Sequence, residues 1–337
     1  MNNHEKDPVI SLDLMGGDSG PAVTVPAAKR ALLISKNLNL ILVGREQECL
    51  PMLTKHGLLD NSRVKFIATP NVISSEEVPS HALKHSQDTS MRKAIELVAD
   101  GSAHACVSAG NTGALMAVSR YILHTVPGID RPALAAFVPN EKKQRTLLLD
   151  LGANVECDAK NLIQFALLGC SEFSRISNTE RPKVALLNIG VEHNKGREYI
   201  KKADAILTGL KEVDYIGYIE SDSLFNSDAD VIVCDGFTGN IALKSSEGLV
   251  RLIVKTAKQR YRGFFSLPVL LILKGVMSKL YPDEYNGASL LGLQGVVIKS
   301  HGSAKIKATA NAIIRAQYEA RIGLSDRFLE LLGKNLF

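Results

Sequence analysis

Six times along the chain, a short β-branched or leucine-rich run gives way to a turn of glycine with Asp, Asn or Ser. A stretch with apolar residues at helical spacing then follows. The first three units are Val9–Leu14 before Met15-Gly16-Gly17-Asp18, Ala105–Ser108 before Gly110-Asn111-Thr112-Gly113, and Thr146–Leu151 before Gly152-Ala153-Asn154. The other three are Val184–Ile189 before Gly190, Val231–Cys234 before Asp235-Gly236-Phe237-Thr238-Gly239-Asn240, and Val296–Lys299 before His301-Gly302-Ser303. Continuous apolar strands alternating with helices imply a mainly parallel sheet with both faces covered and right-handed crossovers. The predicted fold class is α/β, doubly wound, with residues 1–337 as a single domain.

Local signals support the helix starts. Asp18 or Ser19 is placed to cap the first helix, with Pro21 in its first turn, and Ser90 precedes the periodic segment Met91–Ala99. The stretch Thr69–Thr89, rich in Pro, Ser, His and acids, is long for a connecting loop and is expected to be functional.

Composition narrows the class. With 337 residues, 45% hydrophobic and 22% charged, the chain can bury a large core. Five cysteines without CxxC spacing, mostly within apolar runs, read as reduced thiols of a cytosolic protein. Met1–Pro8 lacks the apolar core of a signal peptide, which argues against export. Gly263–Leu273, interrupted by Pro268, is too short to span a bilayer. A net charge of +5, no Trp and no basic tail argue against a nucleic-acid partner.

In open parallel sheets, ligands bind beyond the carboxyl ends of the strands, where helix N-termini expose backbone N–H groups. The six turns are expected to converge on one such rim as an anion site, with glycine permitting close approach and Asn, Thr and Ser adding donors. No G-x-G-x-x-G follows the first strand, and neither G-x-x-x-x-G-K-[ST] nor H-E-x-x-H occurs, so no dinucleotide site or P-loop is expected. No cluster has metal-ligand spacing, and no metal or other cofactor is predicted. Asp13, Asp150 and Asp235 at strand ends are candidate general bases, magnesium ligands or turn caps. Lys195, in Glu192-His193-Asn194-Lys195-Gly196, is a candidate anion partner or a solvated loop lysine. His301 is a candidate acid or donor, or a satisfied turn residue.

Asp13-Leu14-Met15-Gly16-Gly17-Asp18, Ser108-Ala109-Gly110-Asn111-Thr112-Gly113-Ala114 and Asp150-Leu151-Gly152-Ala153-Asn154 together resemble one family. Pro127-Gly128-Ile129-Asp130-Arg131-Pro132-Ala133, Leu187-Asn188-Ile189-Gly190, Cys234-Asp235-Gly236-Phe237-Thr238-Gly239-Asn240 and His301-Gly302-Ser303 continue the match over nearly the whole chain. The family is the bacterial phosphate acyltransferases of phospholipid synthesis, known as PlsX. The resemblance implies a fold similar to the isopropylmalate dehydrogenase and phosphotransacetylase group. It also implies transfer of an acyl group from acyl carrier protein to inorganic phosphate. Members are cytoplasmic homodimers loosely associated with the inner membrane face, and their acyl phosphate serves a membrane glycerol-phosphate acyltransferase. On this reading Asn111, Thr112, Gly113, Gly16 and Gly17 hold phosphate, with Asp13, Asp18, Gly110, Gly152, Gly190, Gly236, Gly239, Gly302 and Ser303 around them. Asn154, Asn188, Lys195, Asp235, Thr238, Asn240 and His301 are candidates for orienting the acyl group and stabilising the oxyanion.

The segment 251–285 is a predicted basic, apolar helical projection. From Arg251 to Leu280 it holds seven Lys or Arg, among them Arg260, Arg262, Lys274 and Lys279, and no acid. Phe264, Phe265, Leu270 and Leu271 lie in its apolar centre. Such a segment suits an anionic membrane interface, an acidic carrier protein or a buried dimer helix. Two other readings of the whole chain are a β-decarboxylating dehydrogenase, for which no arginine clamp with metal-binding aspartates is found, and a membrane-bound scaffold.

Overall fold

The computed structural model describes residues 7–142, 145–260 and 286–323. Of the 251–285 segment, only a helix end through Arg260 falls within them. Arg262, Phe264, Phe265, Leu270, Leu271, Lys274 and Lys279 lie outside the described residues.

The strands are β1 (Val9–Asp13), β2 (Asn39–Gly44), β3 (Val64–Ala68), β4 (Ala105–Ser108), β5 (Ala133–Pro139), β6 (Arg145–Leu149), β7 (Lys183–Leu187), β8 (Asp214–Ile219), β9 (Val231–Val233), β10 (Ala288–Leu291) and β11 (Val296–Lys299). They form one sheet in the order β3-β2-β1-β4-β11-β10-β5-β6-β9-β7-β8. Seven of the ten pairings are parallel, so the sheet is mainly parallel as expected. The three antiparallel pairings, β11 with β10, β10 with β5 and β5 with β6, sit together in the middle. Three successive reversals leave the block β6-β9-β7-β8 running opposite to the block β3-β2-β1-β4-β11.

The helices are α1 (Pro21–Ile34), α2 (Glu46–His56), α3 (Pro79–Lys84), α4 (Ser90–Ala99), α5 (Thr112–Leu123), α6 (Ala159–Ser177), α7 (Glu198–Gly209), α8 (Gly236–Arg260) and α9 (Ile306–Ile322). Strand alternation divides the core by face. One face carries a continuous cluster, from Val43 and Cys106 through Leu134 and Val138 to Ile232, covered by α4, α5 and α8. The other carries two clusters, one beneath α1, α2 and α9 and one beneath α6 and α7.

Two cap positions differ from those predicted. Gly20, not Asp18 or Ser19, is the N-cap of α1 and makes no side-chain cap bond. The N–H of Asp18 instead donates to the carbonyl of Gly302 at 2.9 Å, tying the chain before α1 to the turn after β11. The N-cap of α4 is Thr89, one residue before Ser90, and its Oγ1 accepts from the N–H of Arg92 at 3.3 Å. The Thr69–Thr89 stretch is ordered by α3 within it and by an Asn71–Thr89 bridge at its base.

Candidate active site

The turns after β1, β4 and β11 meet backbone to backbone. A Cβ on Gly16 would lie 2.6 Å from the amide nitrogen of Gly110, and one on Gly17 would lie 3.0 Å from the Gly302 carbonyl oxygen. Gly17 also has φ +88°, where a side chain is strained. Asp13 braces this junction from below: its carboxylate accepts from Ser108 Oγ at 2.7 Å and from the Met15 N–H at 3.1 Å. Burial pushes its pKa up, opposed by those hydrogen bonds.

Helix α5 begins at this junction. Asn111 is its N-cap, with Oδ1 accepting from the Ala114 N–H at 3.0 Å, so the N–H groups of Thr112 and Gly113 are left without intrahelical acceptors. The Asn111 Nδ2 donates to the carbonyls of Ser75 (2.8 Å) and Glu77 (3.0 Å), and a Cβ on Gly113 would strike Pro79. Asn111 therefore clamps the Ser75–Glu77 stretch against the start of α5. Its amide is committed to that task rather than offered to a ligand.

Beside these turns opens a cavity of about 850 Å³. Gly16, Gly17, Asp18, Gly110, Asn111, Thr112, Gly113, Lys299, His301 and Gly302 line its polar end. Its walls are apolar, with Leu134, Ala136 and Val138 of β5 facing Leu243, Val250 and Ile253 of α8. Val72 and Ile73 close the side held by Asn111. Helix α8 starts against Asp150 and runs along the cavity, which brings Lys244 and Glu247 to the polar end. There Lys244 Nζ lies 2.5 Å from His301 Nε2 and 3.4 Å from Glu247 Oε2. Burial first, and then Lys244, holds the His301 pKa below its ordinary value. With the imidazole neutral, Nε2 accepts from Lys244, and Nδ1 lies 2.9 Å from Ser303 Oγ. Asn286 Oδ1 accepts from the His301 N–H at 3.0 Å.

The other predicted turns form a separate group, which corrects the expectation of one shared rim. Because β6, β7 and β9 run opposite to β1, β4 and β11, their carboxyl ends point the other way along the sheet. At those ends Asp150 accepts from the N–H groups of Leu134 (2.8 Å), Ala153 (3.2 Å) and Asn154 (2.6 Å), and burial raises its pKa to about 6. Asn154 Nδ2 donates to the Pro132 carbonyl and to Asp150. Asp235 caps α8 through the N–H and Oγ1 of Thr238, both at 2.8 Å, and also accepts from Tyr199. Gly236 and Gly239 pack against the backbone of Asn154 and Asp150. Capping, one of the roles open to these acids, is what Asp150 and Asp235 perform. Asn188 Nδ2 donates to the carbonyls of Gly190 and Lys195 within its own loop, and Lys195 is exposed there. None of Asn154, Asn188, Gly190, Lys195 or Asp235 lines the large cavity. Asn240 links the groups, touching Gly152 and lining the cavity.

A family model described as fatty acid synthesis protein matches residues 9–327. The phosphate acyltransferase of Photobacterium profundum is 48% identical over 332 residues, covering 96% of this chain and 97% of that one. The phosphate acyltransferase of Pseudomonas savastanoi pv. phaseolicola is 46% identical, covering 97% and 98%. This chain belongs to the phosphate acyltransferase family. Solved phosphotransacetylases from Streptococcus pyogenes (TM-score 0.64, 19% identity) and Staphylococcus aureus (TM-score 0.62, 18% identity) share its fold, each covering 93% of this chain and 94% of its own.

For a phosphate acyltransferase family member, the polar end of the cavity holds residues that the sequence alone does not single out. Lys299 reads as the end of a strand, and Lys244 and Glu247 as an unremarked stretch of helix. A lysine closing a central apolar strand, two residues before His301, is the one available signal for Lys299. Nothing local marks Lys244, which reaches the site only because α8 runs along the cavity. Among the described residues, no group of three His, Cys, Asp or Glu is placed to hold a metal.

Proposed function

We propose that this chain moves a fatty acyl group from an acyl carrier protein thioester to inorganic phosphate, giving acyl phosphate and free carrier protein. The observation that carries this reading is a cavity with an apolar wall and an end lined by glycine turns and the first turn of α5. On this reading the acyl chain lies along Leu134, Ala136 and Val138 and phosphate sits at the first turn of α5 against Gly16 and Gly17, residues that all line the cavity. Free N–H groups and a positive helix end favour an anion there.

Phosphate is already an oxyanion near neutral pH, so orientation beside the thioester carbonyl is the main task. A phosphate oxygen attacks the carbonyl carbon, and the carbonyl oxygen becomes an oxyanion. The C–S bond then breaks and the sulfur leaves as thiolate. The acyl phosphate sheds the proton that hydrogen phosphate brought, and the sulfur takes one up, so the overall reaction is balanced. An N–H or amide donor aimed at the oxyanion contributes about 3 kcal/mol. Asn240 of α8, on the wall between the two turn groups, and His301 with Lys244 at the rim suit that duty better than Asn154, Asn188 or Lys195.

The same reading makes the chain a cytoplasmic homodimer associated peripherally with the inner membrane face, with a membrane glycerol-3-phosphate acyltransferase receiving its product. The basic 251–285 segment supports a contact with membrane or carrier, and no described helix is long and apolar enough to cross a membrane. The test is incubation with an acyl carrier protein thioester and labelled phosphate. Labelled acyl phosphate is expected; a thioester left intact whether or not phosphate is present would overturn the reading.

A further inference from the structure

Lys299 closes β11 with 8% of its surface exposed, yet it lines the polar end of the cavity. Its Nζ donates to two carbonyl oxygens, that of Ala109 at 3.3 Å and that of Ser300. Among the described residues it forms no ion pair. The charged and titratable groups facing it are Lys244 of α8, Asp18 in the turn after β1, Asp13 at the end of β1, and His301 in its own turn. Burial lowers its pKa to about 8, Lys244 pushes the same way, and the two aspartates oppose both. Lys244 differs: its side chain is 47% exposed and is already engaged by Glu247 and His301.

Carbonyl dipoles only partly offset the cost of desolvating an ammonium, and a buried charge without an opposite charge is destabilising. Such a group is retained where a ligand supplies the missing charge. The carbonyl that Lys299 grips, Ala109, belongs to the turn that leads into α5, so the ammonium is tied to that turn, and Lys299, Thr112 and Gly113 line the same cavity. We propose that Lys299 is the cation that holds the phosphoryl group, its remaining N–H donating to a phosphate oxygen. This rests on the acyl-transfer reading above, and its test separates the two.

A lysine that only braces the fold and a lysine that waits for an anion predict opposite results for Lys299→Met. In the second case the phosphate-free protein melts at or above the wild-type temperature at pH 7, because an unpaired buried charge has gone. Stabilisation by inorganic phosphate is lost, and the KM for phosphate rises about 10- to 100-fold, the worth of one charge-assisted hydrogen bond. The KM for the thioester changes little. Lys299→Arg adds a pH readout. The wild-type KM for phosphate rises above pH 8, approaching about tenfold per pH unit as the ammonium deprotonates, whereas the arginine variant shows no such rise. An unchanged phosphate KM in Lys299→Met, or a much lower melting temperature with a normal phosphate response, overturns the proposal. A wild-type chain that phosphate stabilises through Lys299 but that makes no acyl phosphate supports this inference and overturns the functional reading instead.

Discussion

Gly16 and Gly110 approach so closely that a Cβ on the first would sit 2.6 Å from the amide nitrogen of the second. Since the obstructing atom is backbone, no rotamer change relieves the overlap. Gly16→Ala is expected to separate the β1 and β4 turns, costing about 1–3 kcal/mol of stability. It should also abolish the rise in melting temperature produced by phosphate, and thermal melts with and without phosphate check both.

Asn111 has two jobs that substitution can divide. Asn111→Asp keeps an oxygen to cap Ala114 but loses the donors to Ser75 and Glu77, while Asn111→Ala loses both. The alanine variant should be about 1 kcal/mol less stable from the missing cap alone. Both should raise amide hydrogen exchange across residues 72–78, and exchange confined to wild-type rates there would contradict the clamp.

Ala136 lines the cavity from β5, between Leu134 and Val138. Ala136→Leu narrows the apolar wall without touching the polar end. The KM for long-chain thioesters should rise at least severalfold, while that for short-chain thioesters and for phosphate stays near the wild-type value. Steady-state kinetics across a chain-length series is the measurement.

Asp150 has a folded pKa of about 6, raised by burial from 3.8. Between these values the folded chain binds more protons than the unfolded one, so this group's contribution to stability falls as pH rises from 4 to 6. Asp150→Asn removes that slope and turns an N–H towards donors that the carboxylate accepted, which costs about 1–3 kcal/mol. Urea midpoints of both proteins at pH 4.5 and 6.5 should differ more at the lower pH.

Much was already present in the order of residues. Alternation of apolar runs with helical spacing marked the α/β class, and the strings around Gly16, Gly110, Gly152, Asp235 and Gly302 marked the turns and the family, because turn chemistry and strand burial are local properties. Strand order and direction are not local. An apolar run reads the same whichever way its neighbours point, so only the tertiary structure revealed the reversals through β10, β5 and β6. Those reversals divided the six turns into two groups, gathering Gly16, Gly110 and Gly302 into one site and leaving Asn154, Asn188 and Asp235 outside it. The same long-range packing decided the environment of Lys299 and the reach of Lys244. The charge of a lysine belongs to its side chain, but whether that charge stands in water or faces an anion's place depends on strands and helices distant in the chain.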